Sequence, residues 1–176
     1  MTDLATTSPV ETGELPADVS AAVDGDGTPV ETIVVRLGRG RFATDLASVA
    51  EVGRVPAVTR IPGVPAWLAG VANWRGRILP ILDLRSLLGA VATEPNRSSR
   101  LLVLTDRGTL VGVLVDAVEG TMTLDADIAA VPTGVPAEAA ALLRGQLAHD
   151  DGPVAVLDVD AVMRLRDRLP RGRRSA

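Results

Sequence analysis

The chain alternates short apolar runs with glycine-containing turns, a pattern typical of β-strands joined by hairpins. Ile33–Leu37 and Arg41–Leu46 flank one such turn at Gly38, and Arg100–Thr105 and Thr109–Val118 flank another at Gly108. Further strands are predicted at Ser48–Val55, Arg77–Leu82, Thr121–Leu124, Leu142–Ala148 and Pro153–Val159. Short strands separated by such turns predict an all-β barrel or sandwich rather than a parallel sheet.

Helical periodicity is confined to short pieces between these strands. The predicted helices are Pro65–Ala69, Asp83–Leu88, Ala137–Leu143 and Val159–Arg168. Pro80 interrupts the strand Arg77–Leu82, and because proline cannot donate a ladder hydrogen bond, it predicts a sheet edge or a bulge at that point.

Two stretches of the chain, 75 residues apart, repeat the same order of turn, apolar strand and short helix. Ile78–Leu88 and Pro153–Met163 each place an aspartate, Asp83 or Asp158, directly before the helix. Aspartate is a favoured N-cap because its carboxylate accepts hydrogen bonds from the unpaired backbone N–H groups of the first turn. The echo predicts two similar β subdomains within one body.

Composition changes along the chain. Residues 1–32 carry seven acidic and no basic side chains, and residues 164–176 carry six arginines against one aspartate. Residues 1–30 lack any hydrophobic period, which predicts a disordered acidic leader, a folded body over 31–168 and a flexible arginine-rich tail over 169–176. With no apolar run long enough for a signal peptide or membrane span, a soluble cytoplasmic protein is expected.

Composition and spacing give little support to catalysis or to bound cofactors. The chain has no cysteine and one histidine, His149, so a thiolate nucleophile and a histidine-rich metal site are both excluded. The acidic pairs Asp24/Asp26, Asp125/Asp127 and Asp158/Asp160 do not suggest two carboxylates held across a cleft. No glycine-rich phosphate loop is present. The pattern predicts no catalytic, metal or cofactor site.

A different kind of site is indicated by the turn Asn73-Trp74-Arg75-Gly76, which lies between two apolar runs. A hairpin can turn on Asn-Gly alone, whereas tryptophan and arginine are enriched at binding hot spots. Trp74 is predicted either as such a contact or as a core side chain, while Trp67, beside Leu68, is predicted in the core.

Four segments of the sequence resemble the CheW-like family, which comprises CheW, the adaptor of bacterial chemotaxis arrays, and the regulatory domain of the CheA kinase. The resemblance runs from Ile33 to Leu165. It is carried by the segments Val49–Val52, Val58–Pro62, Pro65–Arg85 and Val111–Val118. It implies two five-stranded, SH3-like β-barrels packed side by side with a few short helices.

The resemblance also implies a protein without catalytic activity or cofactor. One of its faces would bind the regulatory domain of a CheA-type histidine kinase, and another the cytoplasmic coiled coil of a methyl-accepting chemoreceptor. By the resemblance, Glu51 and Arg75 fall on positions that couple the partners, as an ion pair or as direct contacts, and Val49 and Gly70 match positions near the same surface. Asn73 and Trp74 complete the predicted protein-binding set, although family members usually carry a smaller aliphatic residue at the position of Trp74.

Three functions are therefore considered for this chain. The first is an adaptor that couples chemoreceptors to a CheA-type kinase, and the second is a CheW-like scaffold of another motility or developmental signalling system. The third, a small nucleic-acid-binding barrel, is disfavoured by a sequence pI of about 5.0 and by the scarcity of aromatic side chains for base stacking. Neither nucleic acid nor direct membrane insertion is expected.

Overall fold

The computed structural model describes residues 29–124 and 128–168 as ten strands, two short α-helices and two 3₁₀ turns. The strands are β1 Val30–Leu37, β2 Gly40–Asp45, β3 Val49–Arg54, β4 Leu68–Trp74, β5 Arg77–Leu82, β6 Arg100–Asp106, β7 Thr109–Val115, β8 Ala117–Leu124, β9 Leu143–Leu147 and β10 Val154–Leu157. The helices are α1 Ala137–Ala140 and α2 Val159–Asp167, and the 3₁₀ turns are Leu46–Ser48 and Leu84–Ser86. The all-β prediction is confirmed. The predicted leader 1–30, except its last two residues, lies outside the described residues, as do the pair Asp125/Asp127 and the tail 169–176. The pair Asp24/Asp26 lies within that leader.

The strands form two five-stranded sheets with the same internal plan. The first sheet has the order β8-β1-β2-β10-β9 and the second the order β3-β6-β7-β5-β4. In each sheet one parallel pair, β10 with β2 or β5 with β7, joins strands that otherwise run antiparallel. The 75-residue echo in the sequence therefore corresponds to two similar β subdomains.

The two sheets differ in how the chain enters them. The second sheet is built from five consecutive strands, β3 to β7. The first sheet combines β1 and β2, which precede them in the sequence, with β8 to β10, which follow them. The hairpin β1–β2 thus fills, in the first sheet, the place that β6–β7 fills in the second. Because the second subdomain is inserted in sequence between β2 and β8 of the first, the two form one body.

Three apolar clusters account for the packing. One lies within each sheet: Val34 and Val154 belong to the cluster of the first, and Leu79 and Leu101 to that of the second. The largest cluster takes alternate side chains from both sheets together with α2, so that it fills the space between the subdomains. Strands such as β6 are therefore buried on both faces, which explains why their sequences read as continuous apolar runs rather than as alternating ones.

Three local predictions are wrong. Thr109–Val118 is not one strand, because β7 of the second sheet ends at Val115 and β8 of the first begins at Ala117. Pro65–Ala69 is not a helix: the Leu68 N–H donates to the Pro65 carbonyl oxygen at 3.0 Å in a single turn, and strand β4 begins at Leu68. Pairing with β5 overrides the local helical pattern. Trp67, as expected, is in the core, 9% exposed within the cluster between the sheets.

Pro80 is not on an edge strand, since β5 lies between β4 and β7, and the bulge in the β4–β5 pair is in β4, between Leu68 and Gly70. Pro80 is tolerated for a different reason. Its partner Val71 directs both its N–H and its carbonyl away from β5, toward Thr59, and pairing with β7 starts only at Ile81. No neighbouring strand therefore requires an N–H at Pro80.

A buried guanidinium fixes the junction between the sheets. Arg85, 3% exposed, donates from Nε and Nη2 to the two carboxylate oxygens of Asp83, both at 2.8 Å, and from Nη1 to Asp116 at 2.7 Å. Asp116 is the one residue between β7 of the second sheet and β8 of the first, and its second oxygen accepts from the Gly38 N–H at 2.6 Å. The hydrogen bonds to Asp83 raise the pKa of Arg85 despite its burial, and Asp116 adds to the rise. A charged network thus joins β5, the β7–β8 crossing and the β1–β2 turn.

We expect Arg85→Met to lower the free energy of unfolding by about 3–5 kcal/mol, because it leaves two inward-facing carboxylates without a counter-charge. The measurement is urea unfolding at neutral pH. Arg60→Met is the matched control: its ion pair with Glu94 spans 3.6 Å and both side chains are at least 85% exposed, so its loss should cost no more than about 1 kcal/mol. Equal costs for the two variants would contradict the role of Arg85.

Candidate functional site

The turn between β4 and β5 is a two-residue hairpin loop. Arg75 and Gly76 have φ angles of 51° and 80°, and Trp74 pairs with Arg77 on either side of them. Positive φ at both central positions is the type I′ turn that suits the twist of antiparallel strands. The Asn73 side-chain oxygen accepts from the Gly76 N–H at 2.9 Å and thereby fixes the loop. Arg75 occupies a position where asparagine or glycine would be favoured, so its side chain is presented at a cost in backbone conformation.

The Arg75 side chain reaches across to strand β3. Its Nη2 donates to Glu51 Oε1 at 2.6 Å, with the two side chains 73% and 31% exposed. This hydrogen bond and the negative charge of Glu51 raise the pKa of Arg75 above its ordinary value. Strands β3 and β4 are the two ends of the second sheet's strand order, so the ion pair spans the line at which that sheet closes on itself. We call this line, with Glu51, Asn73, Trp74, Arg75 and Ile78, the β3–β4 seam.

Trp74 lies beneath the ion pair and closes the same seam. Its ring packs on the cluster inside the second sheet and over Gly53 of β3, where an added Cβ would come within 2.5 Å of Trp74 Cη2. The residue is half-buried. Trp74 is therefore chiefly a packing residue, and part of its side chain remains exposed at the seam.

The other two predicted residues do not lie at the seam. Val49 is half-buried against the cluster between the sheets, and a bulge after it directs Glu51 to the opposite face of β3. Gly70 is buried in β4 with φ 145°, and a Cβ there would overlap the carbonyl oxygen of Thr59. Its role in the described structure is to allow Thr59 and Val71 to pair.

Ile78 is not among the residues predicted from the sequence, yet it is 74% exposed directly opposite Asn73. A signal for it existed. A two-residue loop at Arg75-Gly76 pairs Trp74 with Arg77 and Asn73 with Ile78, and paired residues share one face of a hairpin. An exposed isoleucine beside an arginine and an asparagine is typical of the mixed apolar and polar composition of binding surfaces.

Comparison with known proteins agrees with this architecture. The sequence matches the model of the CheW-like domain over residues 31–167. The chain belongs to this family. It is 32% identical over 139 residues to the chemotaxis protein CheW of Rhizobium meliloti, an alignment that covers 78% of this chain and 90% of that protein.

Two other comparisons extend the result. Protein PilI of Pseudomonas aeruginosa is 36% identical over 113 residues, covering 64% of this chain and 61% of that protein. The crystal structure of the scaffolding protein TtCheW from Thermoanaerobacter tengcongensis superposes with a TM-score of 0.66 at 27% identity, covering 74% of this chain and 90% of that one. The two sheets are thus the two SH3-like subdomains of the CheW fold, as the resemblance implied.

These similarities identify the chain as a chemotaxis coupling adaptor of the CheW type. The CheW relative from Rhizobium meliloti aligns over more of both chains than PilI does, which favours chemotaxis over the alternative of another signalling system. In the part of the chain that the structure describes, no helix is long and apolar enough to span a membrane.

Gly70→Ala tests whether this glycine is structural. We expect it to lower the free energy of unfolding by roughly 1–3 kcal/mol for the strained backbone, and by about 1 kcal/mol more because the Thr59–Val71 hydrogen bonds must break. Gly120→Ala is the matched control, since Gly120 has nearly the same φ, 148°, with no atom within 4 Å of the added Cβ. If the two variants unfold at the same denaturant concentration, the overlap with Thr59 is not what makes glycine necessary.

Proposed function

We propose that the β3–β4 seam is a partner-binding surface through which this adaptor couples a chemoreceptor to a CheA-type histidine kinase. The receptor would contribute its cytoplasmic coiled coil and the kinase its regulatory domain, the two partners meeting different faces of the adaptor in the cytoplasm. The adaptor acts by binding alone, without catalysis or a cofactor.

The observation that carries this proposal is the exposed Glu51–Arg75 pair on a strained turn. An exposed ion pair contributes little to stability, so stability alone does not account for placing arginine at positive φ. Arg75 uses Nη2 for Glu51, and its 73% exposed side chain leaves other N–H donors accessible to a partner carboxylate or carbonyl. Ile78 supplies apolar area beside it.

A preformed surface of this kind suits a helical partner. The turn is fixed by Asn73 and underlain by Trp74, so little conformational entropy is lost when the partner binds. Charged groups at the rim of such an interface mainly determine orientation and partner choice, while an apolar contact such as Ile78 contributes buried area.

Arg75→Glu should weaken assembly with receptor and kinase by about tenfold or more, since it replaces a cation with an anion facing Glu51 and the partner. Co-sedimentation with receptor-containing vesicles and kinase measures the assembly, and circular dichroism verifies that the variant is folded. Arg107→Glu is the matched control. Arg107 occupies the same Arg-Gly turn at φ 46° on the β6–β7 hairpin, so the charge and backbone changes are equal and only the location differs. Normal assembly of folded Arg75→Glu would refute the seam as a binding surface.

The double variant Glu51→Arg/Arg75→Glu separates two ways in which the pair can act. The exchange keeps an ion pair between the same two positions but places the positive charge at position 51 and the negative charge at position 75. If partners contact the individual charges, we expect the double variant to remain at least about tenfold defective in co-sedimentation. Full recovery relative to Arg75→Glu would instead indicate that the pair serves only to hold β3 against the turn.

A further inference from the structure

A second charged feature of the surface is a cleft of about 1050 Å³ between the end of β3, the segment 55–69 and the segment 92–100. Arg85 and Asp83 line it but pair with each other. The remaining arginines of the lining define what we call the arginine cleft: Arg54, Arg60, Arg97 and Arg100. No residue of the β3–β4 seam lines it. The cleft is therefore separate from the seam, and it is basic in a chain whose net charge is −4.

Most of the positive charge of the arginine cleft has no counter-charge among the described residues. Within 29–124 and 128–168, the carboxylate that reaches these arginines is Glu94, 3.6 Å from Arg60. Arg54 and Arg100 are also direct partners in the β3–β6 ladder, and like charges placed opposite each other destabilise a sheet. An anion bound beside this pair offsets that repulsion.

The loop before β6 holds two of the four arginines in place. The Asn96 side-chain oxygen accepts from the Ser98 N–H at 2.8 Å, and Ser99 Oγ accepts from the Asn96 N–H at 2.9 Å. Arg97 lies in the turn that these bonds close, and Arg100 Nη1 donates to the carbonyl oxygens of Arg97 and Ser99. These neutral acceptors orient the Arg100 guanidinium without cancelling its charge. Little side-chain entropy is therefore lost when an anion binds.

The rest of the lining indicates which kind of anion fits. One wall is aliphatic, with Val55, Val58, Ile61 and Val64 following Arg54 in the sequence, and Ile61 is 39% exposed. The lining has no aromatic side chain on which the bases of a single-stranded nucleic acid could stack. The volume is at the upper limit of small-molecule pockets, so it suits several amino-acid side chains better than a single phosphate. Guanidinium and aliphatic groups together match a peptide that carries both carboxylates and apolar side chains.

We propose that the arginine cleft is a second docking site, which binds a segment of a partner protein in which acidic and apolar residues alternate. Carboxylates of that segment pair with Arg54, Arg97 and Arg100, for which guanidinium–carboxylate hydrogen bonds are short and strong. Its apolar side chains contact the aliphatic wall at Ile61. Because the cleft and the seam share no residue, binding at the cleft does not depend on the function proposed for the seam.

The test is fluorescence anisotropy of a short labelled peptide that alternates glutamate with leucine, titrated with the full chain. We expect Arg54→Gln/Arg100→Gln to weaken binding of this peptide by about tenfold or more, because charge-assisted hydrogen bonds are lost. Arg144→Gln/Arg164→Gln is the matched control. It removes the same charge from two exposed arginines on β9 and α2, so at physiological salt the affinity should stay within about twofold of the unaltered chain.

Urea unfolding without peptide separates docking from a structural role of the arginines. Because Arg54→Gln/Arg100→Gln removes two like charges that face each other, the unfolding midpoint should stay unchanged or rise. A lower midpoint would show that the two arginines stabilise the fold, contrary to the proposal.

Three other results would overturn the docking site. One is equal binding of a peptide in which glutamine replaces glutamate, and another is an equal loss of affinity in both paired variants. The third is binding of inorganic tripolyphosphate or of phosphatidylserine vesicles that is tighter than that of the peptide and is lost in Arg54→Gln/Arg100→Gln, which would assign the cleft to phosphate-bearing ligands.

Discussion

The buried ion network around Arg85 is the interaction on which the relation between the two sheets depends. A guanidinium that is almost fully buried must have its charge compensated, and here the two carboxylates come from different places: Asp83 at the end of β5 and Asp116 at the crossing from one sheet to the other. Because Asp116 also accepts from the Gly38 N–H, the same charges fix the β1–β2 turn. Planar, bidentate pairing gives this junction a defined geometry that apolar packing alone would leave less specific.

Around that junction the two subdomains share one strand arrangement but differ in the connection between their last two strands in the sheet order. In both sheets a strand carries a glycine at positive φ, Gly70 or Gly145, where a neighbouring segment forms an isolated bridge. The hairpin that follows differs. In the second sheet it is the tight Arg75-Gly76 turn held to Glu51, whereas in the first the corresponding connection is longer and carries His149, Asp150 and Asp151. A common scaffold thus carries a basic turn in the second sheet and an acidic connection in the first.

Most of the secondary structure follows from local sequence, and its failures have identifiable causes. The hairpins at Gly38 and Gly108 and the aspartate caps were predicted because turn and cap chemistry act over a few residues. The Pro65–Ala69 helix failed because β4 pairs with β5, an interaction absent from the local pattern. The edge position expected from Pro80 was wrong because its partner Val71 forms its backbone hydrogen bonds with Thr59, so β4 does not need an N–H from Pro80. The residue types alone do not indicate that direction.

Residue types and short spacings were enough to predict the all-β class, the two-part repeat and the family, and they marked the Asn73–Gly76 turn as a candidate binding site. The positions and contacts of the candidate residues follow only from the three-dimensional fold. It brought Glu51 to Arg75 across 24 positions, placed Trp74 over Gly53, and buried Gly70 beneath Thr59. Contacts between residues distant in sequence depend on strand order and register. These are selected by the core between the sheets and by the ion pairs of Arg85, and no local pattern specifies them.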